Sequence, residues 1–335
     1  MLRLPAYAYH VPRTLADAIG LLTEHAGDVM PIAGGTDLLP NMKQGLFEPG
    51  HLVALSRVPE LRGVELTQEG LRIGSTMTLA EVGAHPLVRR HAPSFAEAAG
   101  RVAGPQLRNA GTIGGNLCLD TRCTYYNQTY FWRNALGFCL KKDGSVCHVT
   151  KVGRKCVAAH SADAPPVLMT VGASMTLAGP QGTRTHKVGD FFIADGIWNN
   201  VRRADEIVTH VTIPVAPQGR FAAFEKLRQR GAIDFPLLNI AVAGERAPDG
   251  TLADVRVVVS ALGSRPRVVT GLDKLVPGQR PDAELIDAIA ERAHAQCHPL
   301  DNIIVDPEWR RAMVPVYVRK ALVRALDELQ QARAA

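Results

Sequence analysis

The pattern of hydrophobic and polar positions predicts short helices and strands in the first third of the chain. The segment Thr14-Leu-Ala-Asp17 has capping-box spacing and opens an amphipathic stretch, which predicts a helix as far as about His25. The segment "DVMPIAGGTDLLP" is a short apolar run leading into Gly34-Gly35, which is typical of a strand followed by a turn. Two further apolar stretches predict strands at residues 51–58 and 71–75.

The middle of the chain continues with mixed signals. Thr78 and Glu81 form a second capping box, and "PSFAEAAGRVA" predicts another short helix. The apolar stretch 166–178 predicts buried strand material with a turn at Gly172. The pattern changes after the stretch at 206–216.

The last third predicts a β-hairpin and then two helices. The hairpin is centred on Pro248-Asp-Gly250, and the helices lie near 282–294 and 307–331. Strands come first and strands with helices follow, without a regular βαβ alternation. The pattern therefore favours an α+β fold over a doubly wound sheet.

Composition and length are those of a globular protein of two or three subdomains, with 335 residues, 46% hydrophobic and 21% charged. The N-terminal residues lack the pattern of a secretory leader, and no apolar run reaches the roughly 20 residues of a membrane helix. We therefore expect a soluble, cytoplasmic protein without membrane contact. In that compartment thiols stay reduced, and clustered cysteines bind metal more often than they form disulfides.

The net charge of +6 is concentrated in one segment, residues 118–156. This segment holds seven basic and two acidic residues, a balance of +5, which leaves +1 for the rest of the chain. Such a distribution does not favour nucleic-acid binding, and it indicates a docking face for an acidic protein. The alternative is a solvated basic loop. The basic residues are Arg122, Arg133, Lys141, Lys142, Lys151, Arg154 and Lys155.

Two glycine loops are candidates for binding phosphate. "IAGGTD" (32–37) and "NAGTIGGN" (109–116) both combine paired glycines with short polar side chains. Paired glycines permit positive φ and let backbone N–H groups approach an anion. Neither loop matches the G-x-G-x-x-G or P-loop pattern, and each alone could be a structural turn. Together they favour a cradle for the two phosphates of a dinucleotide.

Four segments in order resemble a known family: "IAGGTDLLPNMKQG", "RNAGTIGGNL", "SADAPPVLMTVGA" and "FEKLRQRGAIDFPLLNIAVA". They look like the FAD-binding subunit of the molybdenum hydroxylases, the group of xanthine dehydrogenase and carbon monoxide dehydrogenase. The resemblance covers about residues 7–332. It implies a two-subdomain FAD-binding fold of the vanillyl-alcohol-oxidase type and a C-terminal α+β flavoprotein domain. The implied divisions are 1–55, 56–216 and 217–335, with an insertion at about 118–160.

The same resemblance implies which residues bind FAD. The two loops would clasp the pyrophosphate, Asp163 would lie close to the FAD and Lys226 would reach the flavin side. Xanthine dehydrogenases stack a phenylalanine on the flavin where this chain has Val102. By their residues alone, Asp163 could be a turn residue and Lys226 a solvated lysine at a strand edge. The implied FAD-binding residues are Pro31, Ile32, Ala33, Gly34, Gly35, Thr36, Asp37, Leu38, Val102, Gly111, Thr112, Ile113, Gly114, Gly115, Asn116, Asp163, Val208 and Lys226.

Five of the six cysteines lie in residues 118–156. Cys118 adjoins the second glycine loop and is assigned a structural role. The other four are Cys123, Cys139, Cys147 and Cys156. Four thiolates suit tetrahedral zinc or a [4Fe–4S] cluster, but the spacing matches neither the usual zinc pairs nor a ferredoxin run. Spacing alone leaves the metal open, and the cysteines could also be unligated.

The cysteine segment resembles an insertion found in one branch of the family, the 4-hydroxybenzoyl-CoA reductases, where four cysteines hold a [4Fe–4S] cluster. This resemblance implies a chain that relays electrons from a ferredoxin through the cluster and FAD. A small [2Fe–2S] subunit and a large molybdopterin-binding subunit would receive them, in an assembly of two copies of three subunits. Reductive dehydroxylation to benzoyl-CoA would occur on the large subunit. The alternative is the FAD subunit of a conventional hydroxylase that passes electrons outward.

Overall fold

The computed structural model describes residues 2–334 of the chain. Its strands are β1 (Ala8–His10), β2 (Val29–Ile32), β3 (His51–Ala54), β4 (Val64–Thr67), β5 (Gly70–Gly74), β6 (Ser174–Gly179), β7 (Gly182–Lys187), β8 (Ile207–Ile213), β9 (Arg220–Leu227), β10 (Leu238–Arg246), β11 (Leu252–Ser260) and β12 (Arg267–Val268). Its α-helices are α1 (Leu15–Glu24), α2 (Leu38–Lys43), α3 (Leu79–Ala84), α4 (Pro86–His91), α5 (Pro93–Arg101), α6 (Pro105–Ala110), α7 (Ile113–Leu117), α8 (Tyr130–Ala135), α9 (Ala164–Thr170), α10 (Val188–Phe191), α11 (Leu272–Leu275), α12 (Ala283–Gln296) and α13 (Pro307–Ala334).

The first sheet is small and parallel, in the order β1-β3-β2. Its strands alternate with α1 and α2, so the absence of βαβ alternation predicted from the sequence is wrong for this part of the chain. The strands are only three or four residues long, which is too short for a clear hydrophobic period. The predicted N-cap of α1 is confirmed, because the Thr14 side chain accepts a hydrogen bond from the Asp17 amide.

The second sheet has five strands in the order β4-β5-β8-β6-β7 and packs against the helices α3, α5 and α9. The capping box of Thr78 and Glu81 is confirmed at the start of α3. The strand predicted over 166–178 is wrong in its first half, where the chain forms α9 and β6 begins only at Ser174. Two prolines occupy the first turn of α9, a position that requires no backbone N–H, so the run "APPVLMT" is a buried helix.

The third sheet is antiparallel, in the order β12-β11-β10-β9, and α12 and α13 cover one face. The predicted hairpin is confirmed as β10 paired with β11. Both predicted C-terminal helices are confirmed as well. Helices and strands together give the predicted α+β class.

The cysteine segment, residues 118–156, follows α7 and contains one short helix, α8. It packs against the first subdomain through a small apolar cluster of Leu46, Tyr126 and Cys139. It returns at an isolated bridge between Arg122 and Ala159. In the part of the chain that the structure describes, no helix has the length and apolar character needed to cross a membrane.

Candidate cofactor cavity and the four-cysteine segment

A cavity of about 350 Å³ lies between the first and second sheets, and both glycine loops line it. Its wall includes the whole first loop, from Pro31 to Leu38, and most of the second. Val102, Asp163 and Val208 line it too. Of the predicted residues, Ile113 instead packs in the hydrophobic core, because it occupies the buried first position of α7.

The two glycine loops touch, and only glycine fits at their contact. A Cβ atom on Gly34 would lie 1.9 Å from the carbonyl oxygen of Ala110. In the second loop, a Cβ on Gly114 would lie 2.8 Å from the Cβ of Ser75. Real Cβ atoms do not approach other atoms so closely, so these glycines permit a narrow, backbone-lined cleft. This geometry suits a pyrophosphate held by main-chain groups.

Two buried hydroxyl groups in the cavity wall, Ser75 Oγ and Ser161 Oγ, have no hydrogen-bond partner within the described protein. Buried polar groups are normally paired, so these hydroxyls are available to a bound polar ligand. The residues of the cavity therefore fit a dinucleotide such as FAD. Sequence reasoning missed both serines, although Ser161 belongs to the "SAD" segment that it singled out.

Asp163 and Lys226 form a buried ion pair behind the cavity. The Lys226 ammonium donates to Asp163 Oδ2 at 2.6 Å and to the Arg101 carbonyl at 3.2 Å. Asn239 donates to the other Asp163 oxygen at 2.8 Å. Lys226 itself is not part of the cavity wall, so its contact with the cavity runs through Asp163.

A loop from the C-terminal domain forms one rim of the cavity. The Ile233 amide donates to the Ala103 carbonyl at 2.9 Å, next to Val102. Phe235 receives the Arg122 guanidinium over its ring, 4.8 Å from the centroid. Asp234 lines the same rim and accepts hydrogen bonds from Arg230. The loop follows strand β9 and lies within the fourth segment that carries the family resemblance, although none of its residues was predicted to bind FAD.

The four cysteines assigned to a metal surround one small cavity. Cys139, Cys147 and Cys156 are buried, and Cys123 is half-buried. Burial, followed by repulsion from the other three sulfurs, raises the pKa of Cys123 to about 12. At Cys147 burial acts in the same direction, but hydrogen bonds from Thr150 and from the backbone of Val149 and Val157 together outweigh it and lower the pKa. The insertion therefore brings together four thiols that are up to 33 residues apart in sequence.

The predicted basic docking face is only partly at the surface. Arg133 is almost fully buried and pairs with Asp143 at 3.0 Å. The Lys141 side chain is only 5% exposed and pairs with Asp120 at 2.6 Å, and Arg122 is bound to Asp37. For these three residues the prediction is wrong, because each cationic side chain is largely buried and pairs with a carboxylate of the same chain.

The remaining basic residues of the segment are more exposed to solvent than these three. Lys142 is half-buried and lies 3.6 Å from Asp143. Lys151, Arg154 and Lys155 are exposed. Exposed apolar side chains lie in the same insertion, with Phe131 83% and Val152 91% exposed.

Comparison with known proteins finds a matching family for each of the two parts of the chain. Residues 5–216 match the family "FAD binding domain in molybdopterin dehydrogenase", and residues 222–325 match "CO dehydrogenase flavoprotein C-terminal domain". The chain is 27% identical to the carbon monoxide dehydrogenase medium chain of Hydrogenophaga pseudoflava, over 95% of this chain and 96% of that one. It is 28% identical to the nicotine 6-hydroxylase medium subunit of Paenarthrobacter nicotinovorans, over 97% and 99%.

Solved structures show the same likeness. A carbon monoxide dehydrogenase structure from Hydrogenophaga pseudoflava has a chain that superimposes with a TM-score of 0.80 at 27% identity. The match covers 97% of this chain and 99% of that chain. These matches extend over nearly the full length of the chain. The two glycine loops of the cavity lie in the part that matches the FAD-binding family. The chain belongs to the family of FAD-binding medium subunits of the molybdenum hydroxylases.

Proposed function

We propose that this chain is the flavin and iron–sulfur subunit of a reductive molybdenum enzyme of the 4-hydroxybenzoyl-CoA reductase type. FAD would occupy the cavity between the two glycine loops. A [4Fe–4S] cluster would be held by Cys123, Cys139, Cys147 and Cys156. The observation that carries the proposal is the convergence of these four thiols on one cavity beside a flavin-binding fold.

The spread of the thiols favours a cluster over a single zinc ion. Zinc with four thiolates at about 2.3 Å in a tetrahedron places the sulfurs roughly 3.8 Å apart. Among the residues that the structure describes, no three of these sulfurs lie within 4.8 Å of one another. An iron–sulfur cube holds its ligands at four separate corners and so accommodates the wider spacing. When bound, the cluster would supply a one-electron relay, which zinc cannot.

The surroundings of one thiol also suit a cluster ligand. The Ala158 amide points at Cys156 Sγ at 3.5 Å, and hydrogen bonds to sulfur tune the potential of such clusters. Gly196 packs against the same sulfur, since a Cβ there would lie 2.7 Å from it. A larger side chain at that position would push the ligand out of place.

The cysteine cavity and the larger cavity share a wall. Lys141 and Tyr126 line the cysteine cavity, whereas Asp120 lines the larger one. The Lys141 ammonium donates to Asp120 at 2.6 Å and lies 4.3 Å from the centre of the Tyr126 ring. A few packed side chains therefore separate the two proposed redox groups, an arrangement that supports electron transfer between them.

The proposed direction of electron flow is inward. A reduced ferredoxin would give electrons to the cluster, and FAD would pass them to a small [2Fe–2S] subunit and a large molybdopterin-binding subunit. The dehydroxylation would take place on the large subunit. The likeness to medium chains of multisubunit enzymes supports the proposed partner subunits. The resemblance of the cysteine segment to that of the 4-hydroxybenzoyl-CoA reductases supports the inward direction of electron flow.

The proposed docking face consists of Lys151, Arg154 and Lys155, together with the half-buried Lys142. Three of these side chains are exposed and follow or precede a cluster ligand in sequence. Ferredoxins are acidic, so charge complementarity would bring the donor to the edge of the cluster. Exposed apolar side chains such as Val152 would provide contact area once the partners meet.

A conventional hydroxylase is the second candidate. The relatives include carbon monoxide dehydrogenase and nicotine 6-hydroxylase, and the wall of the cofactor cavity includes none of the four proposed cluster ligands. In that case FAD would deliver electrons to an external acceptor, and the cysteine segment would have another role.

Metal and sulfide analysis of the anaerobically purified chain, with EPR after dithionite reduction, tests the cluster. We expect about four irons and four sulfides per chain. Cys147→Ser should lose this iron, whereas Cys297→Ser, a buried cysteine of the C-terminal domain, should keep it. Iron-free protein that still binds FAD would refute the cluster and leave a flavin subunit. With the complete three-subunit enzyme, formation of benzoyl-CoA with reduced ferredoxin separates the reductase from the conventional hydroxylase.

A further inference from the structure

Three histidine side chains from separate segments meet beside the first sheet. His10 is the last residue of β1, His25 follows the last residue of α1, and His51 is the first residue of β3. One ring nitrogen from each lies within 4.8 Å of the other two. All three side chains are half-buried, so solvent ions can reach them.

The backbone holds two of these histidines in fixed relation. The His51 amide donates to the Asp28 carbonyl, and the Asp28 amide donates to the His25 carbonyl, both at 3.0 Å. The Gly50 amide donates to Asp28 Oδ1 at 2.7 Å. A Cβ on Gly50 would lie 2.2 Å from the other Asp28 oxygen, so a larger residue there would displace the Asp28 carboxylate from its hydrogen bond with this turn. The imidazoles are therefore gathered by the fold and not by a flexible loop.

The nitrogen positions fit a shared cation. His10 Nε2 and His51 Nδ1 are 2.9 Å apart. Two nitrogens about 2.1 Å from one tetrahedral Zn²⁺ are separated by roughly 3.4 Å, so the two rings need to move apart by only about 0.5 Å to share an ion. The His25 ring stacks on His51 with centroids 3.8 Å apart. Rotation about its Cβ–Cγ bond, a soft torsion for histidine, turns a His25 nitrogen toward the same point.

A carboxylate completes the surroundings. Glu24 Oε1 lies 4.0 Å from His25 Nε2, and the Glu24 side chain is 69% exposed. It can swing to give a fourth ligand or remain as a neighbouring negative charge. Neither the cofactor cavity nor the cysteine cavity includes any of these four residues.

We propose that His10, His25 and His51 bind a borderline divalent cation, Zn²⁺ in the first instance, and that the ion ties β1 to the end of α1 and the start of β3. Imidazole nitrogens suit Zn²⁺, Cu²⁺ and Ni²⁺, whereas Mg²⁺ and Ca²⁺ prefer oxygen. The site depends on neither FAD nor the cluster. Its consequence is a first subdomain whose stability rises with the free zinc concentration.

Equilibrium dialysis of the flavin- and cluster-loaded chain against ZnCl₂, followed by metal analysis, tests the site. We expect one zinc per chain and an increase in Tm with zinc. His10→Gln and His25→Gln should each weaken binding by about tenfold or more and remove the zinc-dependent increase in Tm. His298→Gln, an exposed histidine of the C-terminal domain, should bind zinc like the parent chain.

X-ray absorption at the zinc edge distinguishes this site from the cysteines. Nitrogen ligands give distances of about 2.0–2.1 Å, and thiolates give about 2.3 Å. A nitrogen shell that is lost in either histidine variant supports the proposal. A sulfur shell, equal zinc binding by the variants and the parent, or no zinc binding at all would overturn it. FAD and iron contents of each variant show that the rest of the chain is intact.

Discussion

The Lys226 ammonium lies 2.6 Å from the Asp163 carboxylate, and both side chains are almost completely shielded from solvent. Asp163 precedes α9 in the FAD-binding part of the chain, and Lys226 belongs to β9 of the C-terminal sheet. Burial raises the pKa of Asp163 and lowers the pKa of Lys226, and the attraction between the two charges opposes both shifts. The pair joins the two halves of the chain directly behind the cofactor cavity.

Removing one member of this ion pair should destabilise the folded chain. Lys226→Met leaves the Asp163 carboxylate buried with Asn239 as its donor, and we expect a loss of about 3–5 kcal/mol in the free energy of unfolding. The double change Lys226→Met with Asp163→Leu removes both charges and should recover most of that loss. Urea unfolding of the flavin-free chain measures both. Equal destabilisation by the single and double changes would show that the pair matters through shape and not through charge.

Contact between the glycine loops gives a second prediction. Gly34→Ala places a methyl group 1.9 Å from a backbone carbonyl, so the loops must separate. We expect affinity for FAD to fall by about tenfold or more, since main-chain donors lose their positions. Fluorescence titration with FAD measures this change. Gly100→Ala is the matched control, because a Cβ there meets no atom within 4 Å. Unchanged affinity in Gly34→Ala would contradict the assignment of these loops to the pyrophosphate.

Acid sensitivity should depend on His160. Burial lowers the pKa of His160 from 6.5 to about 4, whereas in the unfolded chain it returns to its ordinary value. The unfolded chain therefore takes up the proton first, and stability is lost as the pH falls from about 6.5 to about 4. The full contribution is about 3 kcal/mol.

The variant His160→Phe removes this titration and should flatten the pH dependence of unfolding over that window. Phenylalanine keeps the ring that packs edge-on against Phe192, with centroids 4.7 Å apart in the parent. Denaturant unfolding at several pH values provides the measurement, with His298→Gln as the control. A slope in His160→Phe equal to that of the parent would assign the acid sensitivity to other groups.

Much of the fold could be predicted from the sequence because its signals are local. The caps at Thr14 and Thr78 and the C-terminal hairpin each depend on residues a few positions apart. The helix α9 could not be distinguished from a strand, since its residues are buried on all sides and show no period. The parallel pairing of β1 with β3 joins segments more than 40 residues apart, and strands this short carry no sequence pattern that predicts the pairing.

The residues of the candidate site likewise include some that the sequence could predict and others that it could not. The glycine loops are sequence motifs, and they do line the cavity. Ser75 reaches it only through the tertiary fold, so no local pattern marks it. The rim at Ile233 belongs to a segment that carries the family resemblance, but its contact with the cavity depends on the tertiary fold. The charge count correctly located a basic segment but could not tell which side chains face inward. Arg133 and Lys141 are buried and pair with carboxylates of the same chain. Their burial is set by the tertiary fold and cannot be derived from a charge count.

The wall between the two cavities should depend on Lys141. Lys141→Met leaves Asp120 without its 2.6 Å partner and removes hydrogen bonds to Thr121 and Gly196. We expect the insertion to lose about 2–3 kcal/mol and to release iron faster, while FAD content is unchanged. The neighbouring change Lys142→Met should leave iron retention near that of the parent. Iron content after dialysis, measured beside FAD content, separates the two, and equal retention would contradict a role for the Lys141–Asp120 pair.

Charge reversal of the exposed residues tests the docking face. The triple change of Lys151, Arg154 and Lys155 to Glu should slow reduction of the chain by reduced ferredoxin by about tenfold at low ionic strength. The rate should also lose most of its salt dependence, because the attraction that salt screens has gone. Reduction by dithionite, which does not need this surface, should be unchanged. The matched control reverses three exposed basic residues elsewhere, Arg13, Lys187 and Lys274. Stopped-flow absorbance of the flavin follows each reaction, and equal slowing by both triple variants would indicate net charge alone and refute a defined docking face.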